Sequence, residues 1–177
     1  PYGRGFGPAL EAREALEILE GKRFDDLAKK SCELAGILFE SVGYARRRQG
    51  FKLAKEILQS GEALEKMKEI INAQGKRYEC SEKIPKAKFS TNILATASGK
   101  IASINIKNCI RLARLAGAPG DKFAGLELLA KEGEVVEKGD ILFRLHSSNA
   151  ERLKFAKQQA RHLNPVELET IIRRRLG

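Results

Sequence analysis

Apolar positions recur at helical spacing through the first 75 residues. Leu10, Ala15, Leu16, Ile18 and Leu19 form a stripe between Pro8 and Gly21, with Glu and Arg at the remaining positions. Proline at the start and glycine at the end bound this stretch as a helix. A second helix is predicted from Asp25, a good N-cap, to Gly43. Its apolar residues Leu27, Cys32, Leu34, Ala35, Ile37 and Leu38 are dense enough to predict that it is largely buried. A third helix is predicted from Gly50 to Ser60, closed by Gly61, and a fourth from Glu62 to Gln74, closed by Gly75. Connections this short imply helices packed as neighbours.

The period changes after Tyr78. Tyr78 to Pro85 has no clear pattern and reads as a linker. From Lys86 to Ile106, Phe89, Ile93, Leu94, Ile101, Ile104 and Ile106 fall in short runs with Thr and Ser around Ser98-Gly99, which predicts strand, turn, strand. Asn108 is predicted to cap a short helix through Ala116, ended by Gly117 and Pro119. Leu126 to Lys131 and Asp140 to Leu145 are strand-like, and Ser147 or Ser148 is predicted to cap a helix to about Leu163. Pro165 opens a last amphipathic stretch that ends in arginines. The expected fold class is therefore α+β, with a helical part over 1–77, a linker over 78–85 and a strand-rich module with helices over 86–177.

Composition narrows the function classes. Hydrophobic residues make up 42% and charged residues 32% of 177, which suits a packed chain with a solvated surface. The run Leu34 to Phe39 is interrupted by Glu40, no apolar run can span a bilayer, and no leader is recognisable at the N-terminus. A cytoplasmic protein without a membrane partner is expected. The formal charge is +10, but most cations alternate with acids, as in Glu62 to Lys68, which describes a solvated helix face. Arg46-Arg47-Arg48 and Arg173-Arg174-Arg175 are the two runs of like charge; neither is interleaved with aromatics, so nucleic acid is not expected as a partner. Cys32, Cys80 and Cys109 are scattered and odd in number, which argues against disulfides or a thiolate metal site. His146 and His162 have no cysteine or acidic cluster beside them in sequence.

Three motifs carry candidate chemistry. In Gly133-Glu134-Val135-Val136-Glu137-Lys138-Gly139-Asp140-Ile141-Leu142, two glycines mark turns, and the flanking apolar pairs are expected to pair as strands about Lys138-Gly139-Asp140. The segment resembles the hammerhead modules of lipoyl and biotinyl carriers. Those carriers present their lysine between methionines at a separate hairpin; the single methionine here, Met67, lies in a helical stretch, so a scaffold role is expected. Gly3-Arg4-Gly5-Phe6-Gly7-Pro8 before a helix has the make-up of an anion-binding turn or of a plain tight turn, and it lacks a phosphate-loop lysine. Glu11 and Glu14 share a helix face as paired carboxylates, with Arg13 offering an ordinary ion pair. No serine–histidine–acid set and no zinc signature can be assembled.

The stretch Pro1 to Leu16, with Gly7-Pro8-Ala9-Leu10-Glu11-Ala12-Arg13-Glu14-Ala15-Leu16, resembles a block of the thymidine and pyrimidine-nucleoside phosphorylases, in the archaeal AMP phosphorylase branch. Ile70-Ile71-Asn72-Ala73-Gln74-Gly75, Ala113 to Lys122, Gly125 and the Lys138-Gly139-Asp140 turn are similar to later segments of the same family, in order. The resemblance implies a C-terminal portion: helices of a large α/β domain, then a hammerhead-like antiparallel module. The start at Pro1 fits such a portion. It also implies phosphorolysis of AMP, a related nucleoside monophosphate or a nucleoside, with phosphate as co-substrate, no cofactor and a homo-oligomeric parent. The family's phosphate- and base-binding segments precede the matching block, so no catalytic or substrate-binding residue is expected on this chain. One site carries over: a monovalent cation held by the carbonyls of Tyr2 and Gly5 and the carboxylate of Glu11. The alternatives are a pyrimidine-nucleoside phosphorylase portion, or a free-standing lipoyl-like or hammerhead-like binding module.

Overall fold

The computed structural model describes residues 2–75 and 78–169. The chain divides into two compact units. One holds Ala12–Ile84 with Tyr2; the other joins Gly3–Glu11 to the chain from Pro85 onward. The class is α+β, six α-helices with two antiparallel sheets among the described residues.

Helices α1 (Pro8–Leu19), α2 (Asp26–Ser41), α3 (Gly50–Ser60) and α4 (Glu62–Ala73) follow the apolar spacing closely. Asp25 caps α2 as expected, its Oδ1 accepting the N–H groups of Leu27 at 3.1 Å and Ala28 at 3.2 Å. Gly61 takes φ of 87°, a left-handed conformation that glycine reaches without a Cβ clash, and so ends α3 and begins α4 in a single residue. Gln49 gives α3 no side-chain cap; the Glu40 carboxylate accepts the Gly50 N–H at 2.9 Å instead.

The predicted burial of α2 is corrected. Only Ala28, Cys32 and Gly36 are buried, whereas Leu34, Ile37 and Leu38 are 54%, 64% and 64% exposed. The buried residues lie four apart on one stripe, where α2 meets α3 so closely that a Cβ on Gly36 would stand 2.5 Å from the Gly50 carbonyl carbon. Small residues set that approach and confine coverage to the stripe; apolar density alone carries no such direction. The stretch after the helices is tied to α1. A 3-10 turn at Ser81–Lys83 follows Cys80, and the Glu20 carboxylate accepts both the N–H of Ser81, at 2.7 Å, and its hydroxyl. Burial would raise the Glu20 pKa, but those bonds and Lys22 hold it below its ordinary value.

In the second unit, β1 (Gly5–Phe6), β2 (Phe89–Leu94), β4 (Gly125–Leu128) and β6 (Ile141–Ser147) form one antiparallel sheet in the order β1-β4-β6-β2. Strands β3 (Gly99–Ile104), β5 (Val135–Val136) and β7 (Val166–Glu169) form another, in the order β5-β3-β7. Both turns read from the sequence are real, but neither makes a hairpin. Strands β2 and β3 lie in different sheets, and so do β5 and β6. The turns carry the chain from sheet to sheet, because the inward residues of both, such as Phe143 and Leu145 on one and Ile101 and Val136 on the other, share one core. Gly139 has φ of 101° at this crossing. The amphipathic stretch after Pro165 is strand β7 as far as Glu169, and Arg173-Arg174-Arg175 lies outside the described residues.

Helices α5 (Ile106–Ala116) and α6 (Ala150–Leu163) pack beside one another and on the larger sheet, contributing Leu112, Ala116, Leu153 and Ala156 to the core. Their caps shift from those expected. Asn105, not Asn108, caps α5, and Asn149, not Ser147 or Ser148, caps α6. Ser147 is still inside β6, fully buried, its hydroxyl donating to the Ala116 carbonyl at 2.7 Å, so Asn149 is the residue free to accept the Arg152 N–H at 3.0 Å.

Candidate functional site

The glycine-rich segment 3–7 is held by packing on every side within its unit. Strand β1 pairs with β4 in the register Gly5↔Glu127 and Phe6↔Leu126. A Cβ on Gly5 would fall 2.9 Å from the Leu10 Cβ and 3.2 Å from the Glu11 nitrogen, and one on Gly125 would fall 2.2 Å from the Phe6 carbonyl oxygen. Gly7, with φ of 142°, would drive a Cβ to 2.4 Å from the Ala124 oxygen. The glycines thus serve close backbone approach. Two donors at the start of α1 are also taken: the Gly7 N–H binds Glu11 Oε1 at 2.9 Å, and the Ala9 N–H binds the Lys122 carbonyl at 3.0 Å. The tight-turn reading of this segment therefore describes it, and the anion-cradle reading does not.

Of the residues expected to hold a cation, Gly5 lies against the backbone of Leu10 and Glu11. Glu11 caps its own helix with one carboxylate oxygen. Tyr2 belongs with the helical unit and is 59% exposed, with the Lys30 ammonium 5.6 Å from its ring centroid. One carboxylate and main-chain carbonyls are a donor set suited to a weakly held monovalent ion. No group of three or more His, Cys, Asp or Glu side chains is placed to hold a metal among the described residues.

Glu14 is 5% exposed and belongs to an ion-pair network rather than to an acid–base pair with Glu11. Arg23 reaches Glu14 at 3.0 Å and Glu17 at 3.3 Å, and it also binds Asp25. Arg13 donates to the Ile84 carbonyl at 2.8 Å. Burial pushes the Cys109 thiol up to about 11 and raises that of Cys32, so neither is an activated nucleophile.

One polar cluster is invisible in sequence. His146 Nε2 stands 3.3 Å from Glu127 Oε2, Arg144 Nη1 is 4.0 Å from the same oxygen, and Arg144 Nε donates to Asn92 at 2.8 Å. His146 has no acidic cluster beside it in sequence; the fold brings it one carboxylate, that of Glu127. Glu127 and His146 are 19 residues apart and meet only because β4 and β6 pair in the register Gly125↔His146. The signal available was the alternation of polar positions along both strands, which places them on one face once the pairing is known.

Residues 100–167, from β3 to β7, match the family described as the pyrimidine nucleoside phosphorylase C-terminal domain. The chain is 45% identical over its full length to the AMP phosphorylase of Thermococcus kodakarensis and covers 36% of that protein. It is 43% identical to the AMP phosphorylase of Methanosarcina barkeri, with 99% of the chain and 35% of that protein covered. Against the AMP phosphorylase of Methanocaldococcus jannaschii it is 41% identical, with 100% and 36% covered. The chain therefore spans little more than a third of the length of the curated relatives it matches. No helix among the described residues is long and apolar enough to cross a membrane.

Proposed function

We propose that this chain is part of an AMP phosphorylase of the pyrimidine nucleoside phosphorylase family, with inorganic phosphate attacking C1′ of a nucleoside monophosphate. The C1′–N bond breaks, the base leaves with a proton, and the sugar departs as ribose 1,5-bisphosphate. The observation that carries this reading is the similarity to AMP phosphorylases over the whole chain. Such chemistry requires cationic and hydroxyl donors around phosphate and a proton donor for the leaving base. We assign those groups to polypeptide beyond this chain; here, the helical unit belongs to the large α/β domain, and the strand-rich unit is a hammerhead-like scaffold. In the parent, a homo-oligomer of the cytoplasm, a monovalent cation would be held by main-chain carbonyls and the Glu11 carboxylate, steadying the start of α1 and taking no part in proton transfer.

The test is a phosphorolysis assay with AMP, CMP, uridine and thymidine, on this chain beside a longer protein that contains it. The longer protein is expected to consume AMP. The chain alone is expected to be inactive, since losing a single positioned donor already costs about 10²–10³ in rate and here a whole set is missing. Comparable activity in the chain alone would overturn the assignment of the active site. A longer protein that takes thymidine or uridine and ignores AMP would replace the nucleotide reading with a pyrimidine-nucleoside one.

A further inference from the structure

The helical layer of the strand-rich unit is strongly basic. Helix α5 turns Cys109, Leu112, Ala113 and Ala116 inward. At helical spacing its opposite side carries Lys107, Arg111 and Arg114, all exposed. Helix α6 lies beside it and buries Leu153, Ala156 and Ala160, leaving Arg152, Lys154, Lys157 and Arg161 in solvent. Against these seven cations the two helices hold one acidic residue, Glu151. They thus carry an excess of six positive charges out of the chain's formal +10.

A solvated helix face normally matches its charges three or four residues apart. Helix α4 does so, with Lys66–Glu69 and Lys68–Glu65, and α2 does so with Lys30–Glu33. None of the seven cations on α5 and α6 has a carboxylate partner among the described residues. On α6 Phe155 leaves 48% of its surface in water, next to Lys154 in sequence and one helical turn from Arg152 on one side and from Gln158 and Gln159 on the other. A half-exposed ring among unpaired cations and amides offers a flat apolar surface, phosphate partners and hydrogen-bond donors together.

We propose that the α5–α6 face binds single-stranded nucleic acid, with phosphates along the cations and an unpaired base stacked on Phe155. Both helices lie flat on the sheet, so neither projects as a probe into a duplex groove, and a stacking platform needs a base that is already free. Helix α6, at 14 residues, is about 20 Å long, enough to follow several phosphates. Phosphates and a stackable base are common to RNA and DNA, so both are expected to bind. The arginine runs in the sequence do not contribute: Arg46-Arg47-Arg48 belongs to the other unit, and Arg173-Arg174-Arg175 lies outside the described residues. The site is independent of the phosphorolysis reading, because its readout is binding alone.

The test is fluorescence anisotropy of the full chain with labelled 20-mers of oligo-U and oligo-dT and a duplex of equal length, between about 50 and 200 mM salt. With about four phosphates neutralised, single-strand affinity should fall about fiftyfold over that range. Phe155→Ala should weaken single-strand binding about tenfold and leave duplex binding unchanged. The pair Arg111→Glu and Arg161→Glu should remove binding, while Lys52→Glu with Lys66→Glu, the same change in net charge placed on the helical unit, should preserve it. Circular dichroism checks that each variant is folded. The proposal is overturned by the absence of oligonucleotide binding at the lowest salt, by equal losses in the two charge-reversed proteins, or by a Phe155→Ala protein that binds single strands as the parent does.

Discussion

The closest approach in the helical unit gives a substitution whose sign the sequence and the structure predict oppositely. Gly36 sits inside α2, where replacing glycine by alanine ordinarily stabilises a helix by about 0.5–1 kcal/mol. Its added Cβ, however, would stand 2.5 Å from both the Gly50 carbonyl carbon and the Phe51 nitrogen. Those atoms are backbone and cannot swing aside, so α2 and α3 must separate by roughly 1 Å to restore ordinary contact. Separation also loosens the stripe of Ala28, Cys32 and Ala54. Overpacking of this kind costs about 1–3 kcal/mol, which at its midpoint outweighs the propensity gain and leaves a net loss of about 1 kcal/mol. Urea unfolding followed by circular dichroism at 222 nm should show a lower midpoint for Gly36→Ala. Gly50→Ala, with its Cβ 2.1 Å from the Gly36 oxygen, should do the same. A midpoint for Gly36→Ala at or above that of the parent would refute the claim that backbone contact sets the α2–α3 distance.

Gly139→Val should lower stability by about 1–3 kcal/mol through strain alone, since φ is 101° and nothing lies within 4 Å of the new Cβ; an unchanged thermal melt would count against the turn geometry. The Asp25 carboxyl feels burial, which raises its pKa, yet the Ala28 N–H and Arg23 hold it below its ordinary value. Its charged form therefore adds stability that is complete above the ordinary carboxylate range and is lost as acid protonates it in the folded state. Stability of the helical unit should accordingly drop below about pH 4, and less steeply in Asp25→Asn than in the parent, when urea midpoints are compared across pH 3 to 7.

Helix boundaries were legible in the sequence because they depend on local chemistry. Asp25 caps whatever helix follows it, and Gly61 admits a left-handed turn wherever it stands. The change from helical to alternating period near Tyr78, the strands at Leu126 and Ile141 and the glycine turn at Gly139 are equally local. Even the caps that moved did so by three residues or fewer, where two polar residues competed and tertiary bonds chose between them, as when the Ala116 carbonyl claimed Ser147. What the tertiary structure alone decided was partnership. Strands β5 and β6 are neighbours in sequence yet lie in separate sheets, because the residues of both sheets must close one core. The apolar side of α2 is largely exposed because two glycines, Gly36 and Gly50, fixed which stripe met α3. His146 met Glu127, and seven cations gathered on α5 and α6 with no carboxylate partner among the described residues, through register and helix packing. Periodicity states how far round an element a residue lies; which surface waits there is set by non-local contacts that no short window of sequence contains.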